Sequence, residues 1–219
     1  MPQGRGKGTR DNSTLEQKLS LRRRVIEDME AKSLPIVILD AFGGAGSIFR
    51  KVYPHVTSGT VIEREPSKVD LLCWQRPTWA VYQGDTPALL RSGVGGHQST
   101  SLLDVDPYGQ PWDALGAFFA SLSEGLRPQS PTLYVVVNDG ARQYLRRRAA
   151  AIWETDWLPE DLLKHYGNAL ELNYTEVAKT MLERLGASVG YDTTWMDAYQ
   201  TGHVAQNTHY ACRMSVSKS

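Results

Sequence analysis

The sequence has few cysteines and no long apolar run, and each shortage excludes a class of protein. Cys73 and Cys212 are far apart and neither has a second Cys nearby at metal-ligand spacing, which argues against a disulfide scaffold or structural zinc. His203 and His209 do not form a set of metal ligands either, so we expect no metal. No apolar stretch approaches the ~20 residues that span a bilayer, and the N-terminus lacks a signal-peptide core. We therefore expect a cytoplasmic protein that does not contact membranes.

Net charge is also absent, because 24 basic side chains balance 24 acidic ones over 219 residues. No global field therefore attracts nucleic acid. Basic residues are nevertheless concentrated in places: residues 22–24 are all arginine, and four arginines lie in residues 142–148. Each group could contact a phosphate backbone or form a solvated helical face. Residues 1–14 are polar and rich in glycine, so we expect a flexible basic arm before a single domain over residues 15–219.

The most informative stretch is residues 35–49, PIVILDAFGGAGSIF. Its short, β-branched apolar run at 36–39 predicts a strand buried on both faces of a parallel sheet. Asp40 closes that strand, glycines follow, and Ser47 is a candidate N-cap for a helix. A strand, a glycine-rich turn and a helix in this order are typical of a nucleotide-like ligand site, although a tight turn without a ligand is the alternative.

The glycine pattern distinguishes between possible ligands. A dinucleotide fingerprint needs a small residue where Phe49 stands, and a P-loop needs a lysine that the loop lacks. The pattern D-x-F-x-G-x-G instead resembles motif I of the class I S-adenosylmethionine (SAM)-dependent methyltransferases. That resemblance implies S-adenosyl-L-methionine as cofactor. The residues that it places against the cofactor are Asp40, Phe42, Gly43, Gly44 and Gly46.

Two acidic residues follow the next predicted strands. Glu63 ends the strand at 59–63, 23 residues after Asp40, where a carboxylate can accept hydrogen bonds from both ribose hydroxyls. Its neighbour Arg64 is a further candidate for cofactor contact. Asp85 follows the strand at 79–83 and resembles the acid that receives the adenine amino group in methyltransferases; alternatively, it only caps the next helix.

A second motif, D-P-Y-G-Q-P, begins with Asp106 after the predicted fourth strand. It resembles motif IV of amino-methyltransferases that act on nucleic-acid bases, nearest to the tRNA guanine-N2 dimethyltransferases. The resemblance implies that Asp106 and a carbonyl near Pro107 accept the two N–H bonds of an exocyclic amine, with Asp106 also beside the cofactor. Tyr108 would stack on the base, a contact worth roughly 1–3 kcal/mol. The alternative is an ordinary β-turn, which Asp, Pro and Gly favour.

Further candidates for substrate contact lie beyond this motif. They are Tyr108, Trp112, Asn138, Arg142 and Arg146, although Trp112 also fits a core position and the arginines also fit a solvated helix. Residues 141–172 exceed the needs of a crossover helix, so we interpret them as a helical insertion for target recognition.

These patterns predict a Rossmann-like, doubly wound α/β fold. We expect a mostly parallel seven-stranded sheet, helices on both faces and a C-terminal antiparallel hairpin. The resemblance covers residues 35–140 and implies a SAM-dependent N-methyltransferase acting on a nucleobase in RNA or DNA. Alternatives are a small-molecule or protein N-methyltransferase, or a non-catalytic SAM- or nucleic-acid-binding subunit. A homodimer or a partner subunit fits the absence of an obvious recognition domain.

Overall fold

A computed structural model describes residues 14–142, 145, 157–201 and 207–217. Seven strands form one sheet. They are β1 (Ile38–Asp40), β2 (Gly59–Glu63), β3 (Ala80–Gln83), β4 (Leu102–Val105), β5 (Thr132–Asp139), β6 (Tyr191–Thr201) and β7 (Asn207–Val216). Their spatial order is β3-β2-β1-β4-β5-β7-β6.

The first five strands are parallel, and β7 runs antiparallel between β5 and β6. The predicted fold is therefore confirmed, including the C-terminal hairpin. Chain order reverses between β1 and β4, and ligands of open α/β sheets bind beyond the carboxyl ends of strands at such a point. The segments that follow β1, β2, β4 and β5 meet at this edge.

Seven α-helices within the described residues cover the sheet. They are α1 (Leu15–Ala31), α2 (Ser47–Val52), α3 (Pro66–Gln75), α4 (Thr86–Arg91), α5 (Trp112–Ser123), α6 (Glu160–Tyr166) and α7 (Tyr174–Ala187). Buried side chains from α1, α2 and α3 share one apolar core with one face of the sheet, and those from α4, α5 and α7 share another with the opposite face. The domain thus has the three layers expected of a doubly wound fold.

Helix α1 departs from both interpretations at one of its three arginines, whereas the other two are exposed. Its apolar stripe is fully buried at Leu19, Val25 and Met29, each worth roughly 1.5–3 kcal/mol of transfer free energy. Arg22 lies on this same stripe and is 0% exposed. The prediction that Arg22 contacts phosphate or solvent is therefore wrong, because the helix turns this side chain into the core.

Two local boundaries also differ from the sequence-based expectation. Strand β1 begins at Ile38 and includes Asp40, so the carboxylate belongs to the strand itself. Ser47 is not the N-cap of α2; Gly46 precedes the helix with φ 71°, a left-handed conformation that glycine adopts without steric cost. The glycine therefore serves as both the end of the loop and the entry to the helix.

Several expectations fall outside the described residues. These include residues 1–13 of the proposed arm, and residues 143, 144 and 146–156 of the proposed insertion, which contain Arg146. The described part of the insertion contains α6 and a 3₁₀ turn at Gly167–Ala169. In the described ranges, no helix combines the length and apolar character needed to cross a bilayer.

Candidate active site

The glycine loop after β1 is held close to β2 by its backbone. Gly43 donates a hydrogen bond to the carbonyl of Ile62 at 3.0 Å, and Gly44 has φ 53°. A Cβ on Gly43 would lie 2.4 Å from Val61 Cγ2, so a larger residue would push the loop away from the sheet. Phe42 is half-buried against the core below the loop. The loop therefore needs glycine for its close approach to β2.

Glu63 is tied to this loop at the carboxyl end of β2. Its Oε2 accepts a hydrogen bond from the Gly44 amide at 2.8 Å, and its Oε1 accepts from the amides of Arg64 and Glu65, both at 2.8 Å. These three donors orient an acceptor-only group and leave about one of its four lone-pair sites, on Oε2, open to a ligand hydroxyl. The Arg64 side chain is exposed.

Asp40 has a different environment from Glu63. It is buried, and its Oδ2 lies 2.9 Å from Nη1 of the fully buried Arg76. The Arg76 guanidinium is also within 4.4 Å of the Phe49 ring centroid and 4.8 Å of that of Trp79. Burial raises the pKa of Asp40, and Arg76 offsets that rise only in part. Asp40 also accepts a hydrogen bond from the Phe42 amide at 3.3 Å, so it supports the loop from inside.

Asp85 lies at the end of β3, and its side chain is exposed. Its Oδ1 accepts a hydrogen bond from the Ala88 amide at 3.1 Å, which caps the N-terminus of α4. The capping interpretation is confirmed. The second oxygen of the carboxylate is available for a further donor.

Asp106 is the centre of a polar cluster beyond β4. The Lys18 ammonium contacts both carboxylate oxygens, at 2.7 and 3.0 Å, and Asn138 Nδ2 donates to Oδ1 at 2.7 Å. Arg22 Nη2 lies 3.9 Å from Oδ2. Burial is the largest single influence and disfavours ionisation, but Lys18, Arg22 and the hydrogen bonds together lower the pKa of Asp106 below its usual value. The carboxylate is therefore ionised at neutral pH.

A second acid lies directly beneath Asp106. Asp104, within β4, receives hydrogen bonds from Arg22 Nε at 2.7 Å and from the Tyr53 hydroxyl at 2.8 Å. All three side chains are buried. This pairing fixes Arg22 in the core and holds α1 over the end of β4.

The two residues after Asp106 are presented differently. Pro107 is buried, whereas the Tyr108 ring is 87% exposed. Gly109 accepts a hydrogen bond through its carbonyl from the Gly140 amide at 2.8 Å, which ties the loop after β4 to the segment after β5. An exposed ring on a fixed loop is suited to stacking on a planar ligand.

Two buried atoms beside Asp106 have no hydrogen-bond partner among the described residues. They are Asn138 Oδ1 and His209 Nδ1, on residues that face each other across β5 and β7. His209 Nε2 is 2.6 Å from Thr201 Oγ1, and burial lowers the pKa of His209 to about 4, so the ring is neutral. Because unpaired buried acceptors are costly, the Asn138 oxygen is available to a donor from a ligand.

Two other candidates for substrate contact are buried and bind other side chains of the protein. Trp112 is 4% exposed in the core, and its indole donates to the Tyr174 hydroxyl at 2.8 Å. Arg142 is 8% exposed, and its guanidinium contacts Glu171 Oε1 at 3.0 Å and Gln200 Oε1 at 2.9 Å. The core interpretation of Trp112 is confirmed, and Arg142 is held inside rather than presented as a solvated cation.

Comparison with models of known protein families and with curated protein sequences gives no match. Solved structures do match. Trm1 of Pyrococcus horikoshii with bound S-adenosyl-L-methionine has a TM-score of 0.61 and 14% identity over 92% of this chain. The chain spans only 55% of that protein's length. The N-methyltransferase NodS of Bradyrhizobium japonicum with S-adenosylhomocysteine has a TM-score of 0.57 and 14% identity, covering 95% of this chain and 90% of its own.

This chain has the fold of a class I methyltransferase. The plantazolicin methyltransferase BamL adds a further match at a TM-score of 0.59 and 9% identity, over 95% of this chain and 87% of its own. At these identities the likeness concerns architecture alone. Within this methyltransferase fold, the glycine loop, Glu63, Asp85 and Asp106 all lie at or just after the carboxyl ends of strands, on one edge of the sheet.

Sequence reasoning missed the cations that surround Asp106. Lys18 and Arg22 are four residues apart on the buried side of α1, in register with Leu19 and Val25. A basic residue on an apolar helical stripe needs a buried counter-charge, and Asp104, inside the apolar run of β4, was an available signal. No group of three or more His, Cys, Asp or Glu suited to metal binding occurs in the described ranges.

Proposed function

We propose that this protein is a SAM-dependent methyltransferase that methylates an exocyclic amino nitrogen of a nucleobase in RNA or DNA. The observation that carries the proposal is the polar cluster at the end of β4. There, an ionised Asp106 and the unpaired Asn138 Oδ1 offer acceptors to an amine, beside the exposed ring of Tyr108. The resemblance of D-P-Y-G to motif IV supports the assignment of Asp106, Pro107 and Tyr108.

The cofactor proposal rests on the fit of the residues at the adjacent strand ends. Glu63 is acceptor-only, and three amides orient it so that the open lone-pair site on Oε2 can accept from a ribose hydroxyl. Asp85 has an exposed carboxylate for an amino donor, and Gly43 and Gly44 keep backbone groups accessible without side chains. Bound S-adenosyl-L-methionine would supply an electrophilic methyl group next to the Asp106 cluster.

The residues around Asp106 explain how a poor nucleophile would react. The lone pair of an exocyclic amine is conjugated into its ring, so nitrogen attack requires that the amine be reoriented. Asp106 would accept one N–H bond, and Asn138 Oδ1 or the Pro107 carbonyl would accept the other, which directs the lone pair out of the ring plane. The negative Asp106 would also stabilise positive charge that develops on nitrogen during transfer. Stacking on Tyr108 would hold the ring in position.

A second candidate is an N-methyltransferase for small molecules or proteins, since NodS is named as an N-methyltransferase and BamL as a plantazolicin methyltransferase. In that case Asp106 holds the amine in the same way. A candidate of another class is a non-catalytic subunit that binds cofactor or nucleic acid. It would need no ordered amine site.

The decisive experiment is methyl transfer from labelled S-adenosyl-L-methionine into pooled tRNA, total RNA, duplex DNA and protein extract. We expect label in one nucleic-acid pool with wild-type protein, and at least a 100-fold loss for Asp106→Ala. Asp192→Ala, which removes an exposed carboxylate on β6, is the control and should transfer at the wild-type rate. Label in protein or small molecules alone would contradict the nucleobase proposal, and no label anywhere would favour a non-catalytic subunit.

A further inference from the structure

Lys18 of the protein itself forms an ion pair with the Asp106 carboxylate, the group that we propose binds the acceptor amine. Lys18 Nζ lies 2.7 Å from Asp106 Oδ1 and 3.0 Å from Oδ2, and the two side chains are 20% and 17% exposed. Lys18 is carried by α1, which Arg22 anchors to β4 through Asp104. The ammonium is therefore held at Asp106 by a fixed helix rather than by a loose surface chain.

The local charges around Asp106 already balance. Two cations, Lys18 and Arg22, accompany two anions, Asp104 and Asp106. The other buried polar neighbours with an unpaired atom, Asn138 and His209, are neutral, because burial lowers the pKa of His209 to about 4. The cluster thus has no excess negative charge, although it keeps hydrogen-bond acceptors on Asp106 and on Asn138 Oδ1.

This balance affects charged and uncharged amines differently. An alkylammonium ion brings a positive charge next to Lys18 and Arg22, and like charges at such short distances in a part-buried site repel strongly. It can bind only if it expels Lys18 from Asp106. An uncharged amine conjugated to a ring needs only an acceptor lone pair. Lys18 and Asn138 use three of the about four lone-pair sites of Asp106, so one is left for the amine while Lys18 stays in place.

We propose that Lys18 is a specificity-determining residue that neutralises Asp106, so that the site takes an uncharged conjugated amine and rejects a cationic alkylamine. The inference rests on the proposed function, since it concerns the same acceptor site. The charges of the site, independently of its motif, thus also favour a nucleobase over a lysine side chain of a substrate protein as the methyl acceptor. Lys18 acts through Asp106 and is a positioning residue, not a catalytic one.

The test compares amine binding in the wild type and Lys18→Met by ligand-detected NMR, with and without S-adenosylhomocysteine. The probes are guanosine, inosine, which lacks the amino group, and n-butylammonium. We expect the wild type to bind guanosine in preference to inosine and at least tenfold more tightly than n-butylammonium. In Lys18→Met, affinity for n-butylammonium should rise at least tenfold.

Two further variants keep the result interpretable. Lys18→Arg retains the charge and should still reject n-butylammonium, which separates loss of charge from loss of shape. Lys32→Met removes the same charge from the far end of α1 and should match the wild type. Circular dichroism of each variant establishes that the fold is kept.

The inference is overturned if the wild type shows no preference for guanosine over n-butylammonium, including the case in which neither binds. It is also overturned if Lys18→Met and Lys32→Met change the affinities equally. Calorimetry with S-adenosylhomocysteine separates the two proposals. Cofactor binding without a Lys18 effect defeats the inference alone, and a Lys18 effect without cofactor binding defeats the proposed cofactor alone.

Discussion

At the scale of single residues, the pair Arg22 and Asp104 shows how a buried charge is tolerated. Each is nearly inaccessible to solvent, and the guanidinium meets the carboxylate through two nitrogens, at 2.7 and 2.5 Å. A bidentate pair of this kind satisfies most of the donors and acceptors that burial removes from water. The pair therefore contributes less through its own attraction than through the penalty that follows when one partner is lost.

Removal of one partner should therefore destabilise the protein strongly. In Arg22→Met, Asp104 stays buried with only the Tyr53 hydroxyl, and we expect a loss of about 3–5 kcal/mol in the free energy of unfolding. The double variant Arg22→Met/Asp104→Asn should recover much of this, since the amide is uncharged and still accepts from Tyr53. Urea denaturation measures both.

The matched control for this cycle is Arg23→Met, one position along α1 on its exposed side. It should change the free energy of unfolding by no more than about 0.5 kcal/mol. The single variant Asp104→Asn completes the cycle. If the double variant loses as much stability as Arg22→Met and Asp104→Asn added together, the pair is not coupled and the buried charge is not what destabilises Arg22→Met.

At the scale of elements, the strands were predictable because their apolar runs are short, continuous and rich in β-branched residues. The hairpin of β6 and β7 and the glycine loop after β1 were predictable for similarly local reasons. The orientation of α1 was not, because its polar residues look like a solvated face unless their register with the apolar stripe is followed. Lys18 and Asp106 are 88 residues apart, so only tertiary packing brings them together.

A second buried acid joins three elements on the other side of the sheet. Asp139, the last residue of β5, accepts hydrogen bonds from the hydroxyls of Tyr174 on α7 at 2.8 Å and Tyr210 on β7 at 3.1 Å. Burial is the dominant influence and raises the pKa of Asp139 to about 7, although the hydrogen bonds oppose this. In the unfolded chain an aspartate has a pKa near 3.9.

Titration of Asp139 should therefore lower the stability of the protein as the pH rises. The folded state holds a proton on Asp139 that the unfolded state releases between pH ~4 and pH ~7, so the free energy of unfolding decreases across that window and is then constant. Asp139→Asn has no such proton. Relative to the wild type it should gain up to about 4 kcal/mol between pH 4 and pH 8, whatever fixed cost the amide brings.

Urea denaturation at several pH values checks this expectation, with Asp192→Asn as an exposed control that should follow the wild type. Parallel pH profiles for the wild type and Asp139→Asn would mean that Asp139 is ionised in the folded protein.

At the scale of the whole molecule, the strand order brings the glycine loop, Glu63, Asp85 and Asp106 to one edge of the sheet. Their order along the sequence was enough to predict this, because parallel strands place their carboxyl ends together. Which of these residues support the fold was less visible. Asp40 proved to be buried against Arg76, a contact that no local pattern near either residue indicates.

Ligand binding to this edge should be measurable as stability of the entire domain. A ligand that binds only the folded state at 100 times its dissociation constant adds about 2.7 kcal/mol, which corresponds to roughly 5–10 °C in Tm for a domain of this size. We expect S-adenosylhomocysteine to produce such a shift and NAD to produce none. Glu63→Gln should lose most of the shift, because its single oxygen stays with the Arg64 and Glu65 amides and its NH2 group replaces the acceptor that the Gly44 N–H and the ribose would share. Glu65→Gln, two residues further on, should keep it. A shift with NAD, or an undiminished shift in Glu63→Gln, would contradict the assignment of this edge to S-adenosyl-L-methionine.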